Sequence, residues 1–240
     1  MTNPWEQLLA VQALDTTIRQ LDHRDRQLPE REVLAELEER LAANHARTEK
    51  AEADKHELVR AQKRIEDEIA GFEARIEHEN DQLYSGGSSD PGMLQDLQNE
   101  IAALKRRIAA LEDDELELME QIEPIDAQLT ELASEKAELD RQAQDATTRL
   151  AEGEAEIAVE RDKAQGERDA LVADIDDDSV ARYEQVRDRL GGTAVARLEP
   201  GGVCGACHIK LSAVERDRIQ HLPPEAEIAC EDCGRFLVHA

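Results

Sequence analysis

Cys204, Cys207, Cys230 and Cys233 are the only cysteines in a chain of 240 residues, and all four fall within its last 37. They form two C-x2-C pairs, Cys204-Gly-Ala-Cys207 and Cys230-Glu-Asp-Cys233, with 22 residues between them. Thiolates are soft donors, and two such pairs at this separation can surround one tetrahedral ion. A site closed by four sulfurs keeps no position for water, so the chemistry predicted is structural binding of one Zn2+ rather than catalysis. An iron–sulfur or redox centre is the alternative use of the same pairs. His208, His221 and His239 are nearby as substitute ligands, but four cysteines already complete the tetrahedron.

No other constellation in the chain suggests a reaction. There is no glycine-rich phosphate loop, nucleophile motif or open metal site. The 56 Asp and Glu residues are too many for any one pair to be singled out. The expectation is a protein that is not an enzyme.

The cysteines need a scaffold, and about 50 residues around them are too few to build a self-sufficient core, so metal must supply folding free energy. After Asp176-Asp-Asp178, Ser179 is read as the cap of a short helix whose apolar face is Val180, Tyr183, Val186 and Leu190. Strand-like pieces follow at 194–198, 209–211, 227–229 and 236–239. Ser212-Ala-Val-Glu215 is a capping-box signature for a helix reaching about Gln220. Gly205 and Gly234 are read as the residues that let the backbone turn tightly around sulfur.

The remaining residues predict a rod. Only 2% of the chain is aromatic and 35% is charged, the composition of a long helix whose whole core is a narrow seam. Asn3, Pro4 and Glu6 mark a helix start, and Pro29 breaks the phase of the apolar stripe, predicting a break near residue 29. From Leu34 a 3/4 count gives Leu37, Leu41, Asn44, Thr48, Ala51, Lys55, Leu58, Gln62, Ile65, Ile69, Phe72, Ile76, Glu79 and Leu83. The polar positions cluster at 44–62, so this stretch is expected to be the softest of the arm. A second count from Leu94 to Leu171 never slips phase, although Pro124 lies inside it and predicts a local bend. Sustained 3.5-residue periodicity means a left-handed coiled coil.

Between the two runs, residues 84–92 form the one clear loop, with Asp90 and Pro91 opening the return helix. The arms, 4–83 and 92–171, match in length and favour pairing within one chain. The fold class predicted is mainly α: a long antiparallel coiled-coil hairpin over 1–175, then a short helix and a C4 zinc ribbon over 176–240. At 1.5 Å per residue each arm would extend about 120 Å. Nothing in the sequence requires a dimer and nothing excludes one, and a monomer is compatible with it.

Net charge is −27 and concentrated in the rod, where residues 1–190 carry 24 Lys and Arg against 49 Asp and Glu. Such a surface repels nucleic acid along most of its length. No apolar run approaches the length of a membrane span and no signal peptide is visible, so a cytoplasmic protein without a membrane partner is expected. Paired thiols at metal spacing agree with a reducing compartment.

The chain resembles the bacterial family of coiled-coil hairpin proteins that end in a C4-type zinc ribbon. The residues carrying the likeness are Leu83-Tyr84-Ser-Gly86 through Asp90-Pro91, then Leu97-Gln98-Asn-Glu100-Ile101, Tyr183, and both cysteine pairs through Gly234-Arg235. The resemblance implies four cysteine ligands and no enzymatic activity. Members have been linked to flagellar or secretion systems as chaperone-like adaptors, and their ribbon has been suggested to bind nucleic acid. This chain has Gly92-Met93 after the tip proline, where the family usually has a charged residue.

The function expected is therefore a zinc-binding, non-enzymatic adaptor or chaperone-like scaffold engaging protein partners through hairpin and ribbon. Tyr84 and Met93 at the tip are the candidate protein contacts. The alternative is a nucleic-acid-binding regulator acting on DNA or RNA through the ribbon. Its candidate contacts are Arg187, Arg189, Arg216 and Arg218, with Glu184, Asp188, Glu215 and Asp217 interleaved against them.

Overall fold

The structure is a computed structural model, and it describes residues 3–84, 90–223 and 226–239. Four helices come first: α1 (Pro4–Arg26), α2 (Pro29–Tyr84), α3 (Pro91–Ala173) and α4 (Asp177–Arg189). Strands β1 (Val195–Glu199) and β2 (Val203–Cys204), helix α5 (Ala213–Gln220) and strand β3 (Phe236–His239) complete the chain. Local signals set most of these limits. The Asn3 side chain accepts a 3.0 Å hydrogen bond from the Trp5 N–H, and Pro4 occupies the first turn where its missing N–H is no loss. The break expected near residue 29 is present: α1 stops at Arg26 and α2 opens on Pro29. Helix α3 runs through Pro124 without interruption. Of the expected loop at 84–92, residues 85–89 lie outside the described residues. Helix α4 corrects one expectation. Its cap is Asp176, which accepts from the Ser179 N–H at 2.9 Å, so Ser179 lies inside the helix.

The chain forms two compact units, one of residues 33–146 and one joining 1–32 to 147–240. This differs from a division at 175/176, because α1 and the end of α3 share a core with the ribbon.

In the first unit the heptad seam is visible as burial. Leu37, Asn44 and Ala51 are buried seven residues apart on α2, as are Leu132, Leu139 and Ala146 on α3. The polar seam positions between 44 and 62 make bonds across the arms. Asn44 Nδ2 donates to the Leu132 carbonyl and to Glu135 Oε2, both at 3.1 Å. Lys55 Nζ is 2.5 Å from Asp126 Oδ1, and Gln62 Nε2 donates to Glu115 Oε1 at 3.2 Å. As numbers rise along α2 their partners fall along α3, so the arms are antiparallel. Buried Asn44 fixes register, because a slipped helix would leave its amide unsatisfied. The count from Leu94 also puts Lys136 in the seam, but Lys136 is exposed and Glu135 is half-buried, turned toward Asn44.

In the second unit a three-stranded sheet, ordered β2-β1-β3, lies between two cores. β1 pairs parallel with β3 and antiparallel with β2. Side chains alternate across a strand, so neighbours enter different cores. Val195, Phe236 and Val238 pack with Trp5, Leu8, Val11, Tyr183 and Val186. Ala196 and Leu237 face the other way, into a core with Cys204, Cys230, Leu211, Ile219 and Ile228. Fully burying side chains such as Leu8 and Val11 contributes roughly 2 kcal/mol each. One sheet therefore joins the base of the hairpin to the cysteine-bearing module.

Candidate metal centre

The two cysteine pairs sit in turns of the same construction. In the first, the Cys204 N–H donates to the Ile209 carbonyl at 3.0 Å and the His208 N–H donates to the Cys204 carbonyl at 2.8 Å. In the second, the Cys230 N–H donates to the Arg235 carbonyl and the Gly234 N–H to the Cys230 carbonyl, both at 2.8 Å. Each turn needs a residue with positive φ directly after its second cysteine. Gly234 fills that place at φ 70° without strain, whereas His208 fills it at φ 60°. Gly205 thus has another role than the one expected of it. Its N–H donates to the Arg197 carbonyl at 2.9 Å, and a Cβ there would stand 2.8 Å from that oxygen. It is the close approach of β1, not the turn, that requires glycine.

A left-handed L-residue costs roughly 1–2 kcal/mol. His208→Gly is therefore expected to stabilise the ribbon by about 1 kcal/mol, read as a rise in the unfolding midpoint of the full-length protein. An unchanged or lowered midpoint would mean that the exposed imidazole of His208 contributes something the turn geometry does not reveal.

These turns bring the four sulfurs within 4.8 Å of one another. Cys204 Sγ lies 3.9 Å from Cys233 Sγ, and Cys207 Sγ 3.8 Å from Cys230 Sγ. A disulfide would need about 2 Å. Metal–sulfur bonds of about 2.3 Å arranged tetrahedrally would separate sulfurs by about 3.8 Å. Burial pushes the Cys230 thiol up to about 12. Burial also opposes ionisation of Cys233, but hydrogen bonds from the Arg235 backbone and side chain and from neighbouring thiols bring it down to about 7. Sulfurs this close cannot all ionise unless a cation lies among them. Donor type and spacing fit one metal ion. Among the described residues, no histidine or carboxylate joins the cluster. His208 and His221 are exposed, and the side chain of His239 lies outside the described residues.

A second polar group holds the ribbon's base, and sequence reasoning missed it. Asp15, only 7% exposed, accepts from Arg168 Nε at 2.6 Å, Tyr183 Oη at 2.5 Å and Arg187 Nη1 at 3.0 Å. Glu184 pairs with both arginines. Burial works against the Asp15 charge, but the hydrogen bonds from Tyr183, Arg168 and Arg187 outweigh it and hold the carboxyl below its usual range. Burial and the Asp15 carboxylate push the Tyr183 hydroxyl upward in turn. Gln12, one helical turn earlier, accepts from the Ala194 and Val195 N–H groups at 2.6 and 2.8 Å and donates to the Val195 carbonyl at 2.8 Å. Arg19 donates to the carbonyls of Gly191 and Gly192 at 2.9 and 3.0 Å. Trp5 stacks on Phe236 with ring centroids 3.9 Å apart. Trp5, Leu8, Gln12, Asp15 and Arg19 follow 3/4 spacing along one face of α1, and that stripe was the available signal.

The other expected contact residues are dispersed. Tyr84 ends α2 at 82% exposure and Met93 lies in the first turn of α3 at 49%. Arg187 is held in the Asp15 group, and Arg218 Nε donates to Glu215 Oε2 at 2.8 Å. Arg216 packs against Gly202 with its Nε buried, and exposed Arg189 lies beside Gly234.

Comparison with known proteins agrees with this architecture. The CT398-like coiled-coil hairpin domain matches residues 11–191, ending before the first cysteine. An uncharacterised protein of Mycobacterium tuberculosis is 31% identical over 231 residues, 96% of this chain and 93% of that protein. A solved structure from Mycobacterium smegmatis superposes with a TM-score of 0.86 at 27% identity, covering 99% of this chain and 97% of the other. CT398 from Chlamydia trachomatis has the same fold, with a TM-score of 0.69 at 20% identity over 99% of this chain and 98% of that one. With a matching domain over most of its length and a relative along nearly all of it, the chain belongs to the CT398-like coiled-coil hairpin family.

Proposed function

We propose that the protein is a zinc-bound, non-enzymatic adaptor that engages protein partners through its hairpin and its ribbon. Zinc is the ion best suited to four thiolates in a tetrahedron, and a site so closed has no coordination position for a substrate. The observation that carries the adaptor reading is apolar exposure beside the hairpin turn. Tyr84 ends one arm and Met93 opens the other, and both present their side chains to solvent. A protein partner is favoured over nucleic acid because carboxylates neutralise Arg187 and Arg218, and aromatic residues for base stacking are scarce. No described helix is long and apolar enough to cross a membrane.

The test compares proteins cross-linked in cells to the wild type, to Tyr84→Ala/Met93→Ala and to Cys204→Ser. The adaptor reading expects at least one protein captured by the wild type and lost from one of the variants. An identical set from all three would remove its support. Capture of RNA or DNA instead, lost on changing Arg216 and Arg218, would replace it with the nucleic-acid reading.

A further inference from the structure

The two edges of the coiled coil in residues 33–146 are built differently. On one edge the arms are joined by ion pairs: Arg47 with Glu135 at 3.1 Å, Arg107 with Glu68 at 3.5 Å, and Arg75 with Glu100. Arg47, Glu68, Arg75, Glu100 and Arg107 each directly precede a seam position, and Glu135 pairs with Arg47 from half-buried ground beside Asn44, so all six share one side of the hairpin. Residues that directly follow the alternate seam positions Ala51, Leu58, Ile65, Leu111, Leu118 and Ile125 occupy the opposite edge.

That opposite edge carries Val59 and Met119, at a level bracketed by the Lys55–Asp126 and Gln62–Glu115 pairs. Val59 is 41% exposed, Met119 48%, and Leu116, one turn away on the same side, 57%. The register set by the Lys55–Asp126 and Gln62–Glu115 pairs puts carboxylates above and below this apolar group, Glu66 level with Glu112 and Glu52 with Asp126. Lys63 reaches Glu66 at 3.2 Å and Lys55 reaches Asp126 at 2.5 Å. Among the described residues, Glu52 and Glu112 have no ion pair. Two uncompensated carboxylates beside exposed Leu and Met do nothing for an intrachain coil, which buries its apolar side chains in the seam.

We infer that this edge, centred on Val59, Leu116 and Met119, docks a basic amphipathic helix of a partner protein, which lies along the hairpin as a third helix. The inference rests on the adaptor reading and names a surface and a partner chemistry for it. The partner's apolar stripe covers the exposed side chains, and its Lys or Arg residues lie beside Glu52 and Glu112, the carboxylates of this edge that no lysine neutralises. Charge complementarity of this kind accelerates encounter and fixes register, while the apolar centre supplies most of the hold.

The probe is a fluorescent amphipathic peptide of about 18 residues, five helical turns, with Leu on one face and Lys on the other. It is titrated into the full-length protein. Leu116→Ser/Met119→Ser leaves the charge unchanged and is expected to weaken binding about tenfold. Glu52→Gln/Glu112→Gln is expected to weaken it about threefold and to flatten its salt dependence. Val159→Ser, at an exposed valine outside this edge, is expected to change nothing. All these side chains are exposed, and an unchanged helical signal confirms each fold. Wild-type affinity in the Leu116→Ser/Met119→Ser variant would reduce the binding to diffuse charge and overturn the inference. So would equal affinity for a peptide with Glu in place of Lys. A wild-type dimer dissolved by the same two substitutions would make a second copy the occupant and overturn it too. If cell cross-linking still captures partners through Leu116→Ser/Met119→Ser but loses them in Tyr84→Ala/Met93→Ala, the adaptor reading stands and this edge does not.

Discussion

Chelating the metal, or replacing Cys204 with serine, is expected to shift the fluorescence of Trp5 to longer wavelength while most of the far-ultraviolet helix signal persists. Trp5 is the only tryptophan, so the readout is unambiguous. It is 3% exposed and stacked on Phe236, six residues from Cys230 in the same hydrogen-bonded turn and strand. Thiolate ligation of zinc contributes on the order of 10 kcal/mol of binding free energy. The ribbon core behind the sheet is small: Leu211, Ile219, Ile228 and Leu237, with the cysteines themselves. Without the ion that small core is expected to loosen the Cys230–Cys233 turn that leads into β3, and with it the Phe236 surface on which Trp5 packs. The seam of 33–146 shares no residue with that core, so its helices remain. Trp5 emission that stays unchanged at full metal loss would show that the ribbon folds without an ion, and the metal argument would fail with it.

Asp15→Ala is expected to destabilise the protein by about 3 kcal/mol, the lower end of what breaking a buried ion pair costs. The loss arises because Arg168 and Arg187 would keep their positive charges in a half-buried site, and the Tyr183 hydroxyl, fully buried, would lose its acceptor. The remaining carboxylate, Glu184, limits the damage. Asp15→Asn should fall between, since an amide accepts a hydrogen bond but carries no charge. Denaturant midpoints of the three proteins measure this ordering. The pH dependence follows from the sign of the shift. The Asp15 carboxyl is held below its ordinary value in the folded state, so its contribution is complete above the unfolded value, near pH 4, and is lost as pH falls through the lower folded value. The difference between wild type and Asp15→Ala should narrow only in that acidic window. A difference that stayed constant into strong acid would assign the loss to packing instead of charge.

Both predictions concern the joint between hairpin and ribbon, which sequence reasoning largely missed. Heptad positions such as Leu37, Ala51, Leu139 and Ala146 could be assigned by counting, because in a coiled coil every seam residue meets its partner at a fixed interval. The break at Pro29 and the caps at Asn3 and Ser212 were equally readable, being decided by a few adjacent residues. The role of Asp15 was not readable: its place in a 3/4 stripe of α1 could be counted, but its partners lie 153, 168 and 172 residues away. Arg187 was taken for a surface contact for the same reason: its charge is evident in the sequence, but its neutralisation by Asp15 and Glu184 is not.

The sequence by itself determined the antiparallel helical hairpin, the place of its break and the identity of the four sulfur donors. These depend on periodicity and short-range spacing, whose physical consequences are local. Only the tertiary structure decided that α1 belongs with the ribbon, that His208 rather than Gly205 makes the first cysteine turn, and that the two edges of the hairpin differ in charge. Those features depend on which distant groups share a low-dielectric core or face each other across two helices, and on backbone angles that no residue type dictates alone.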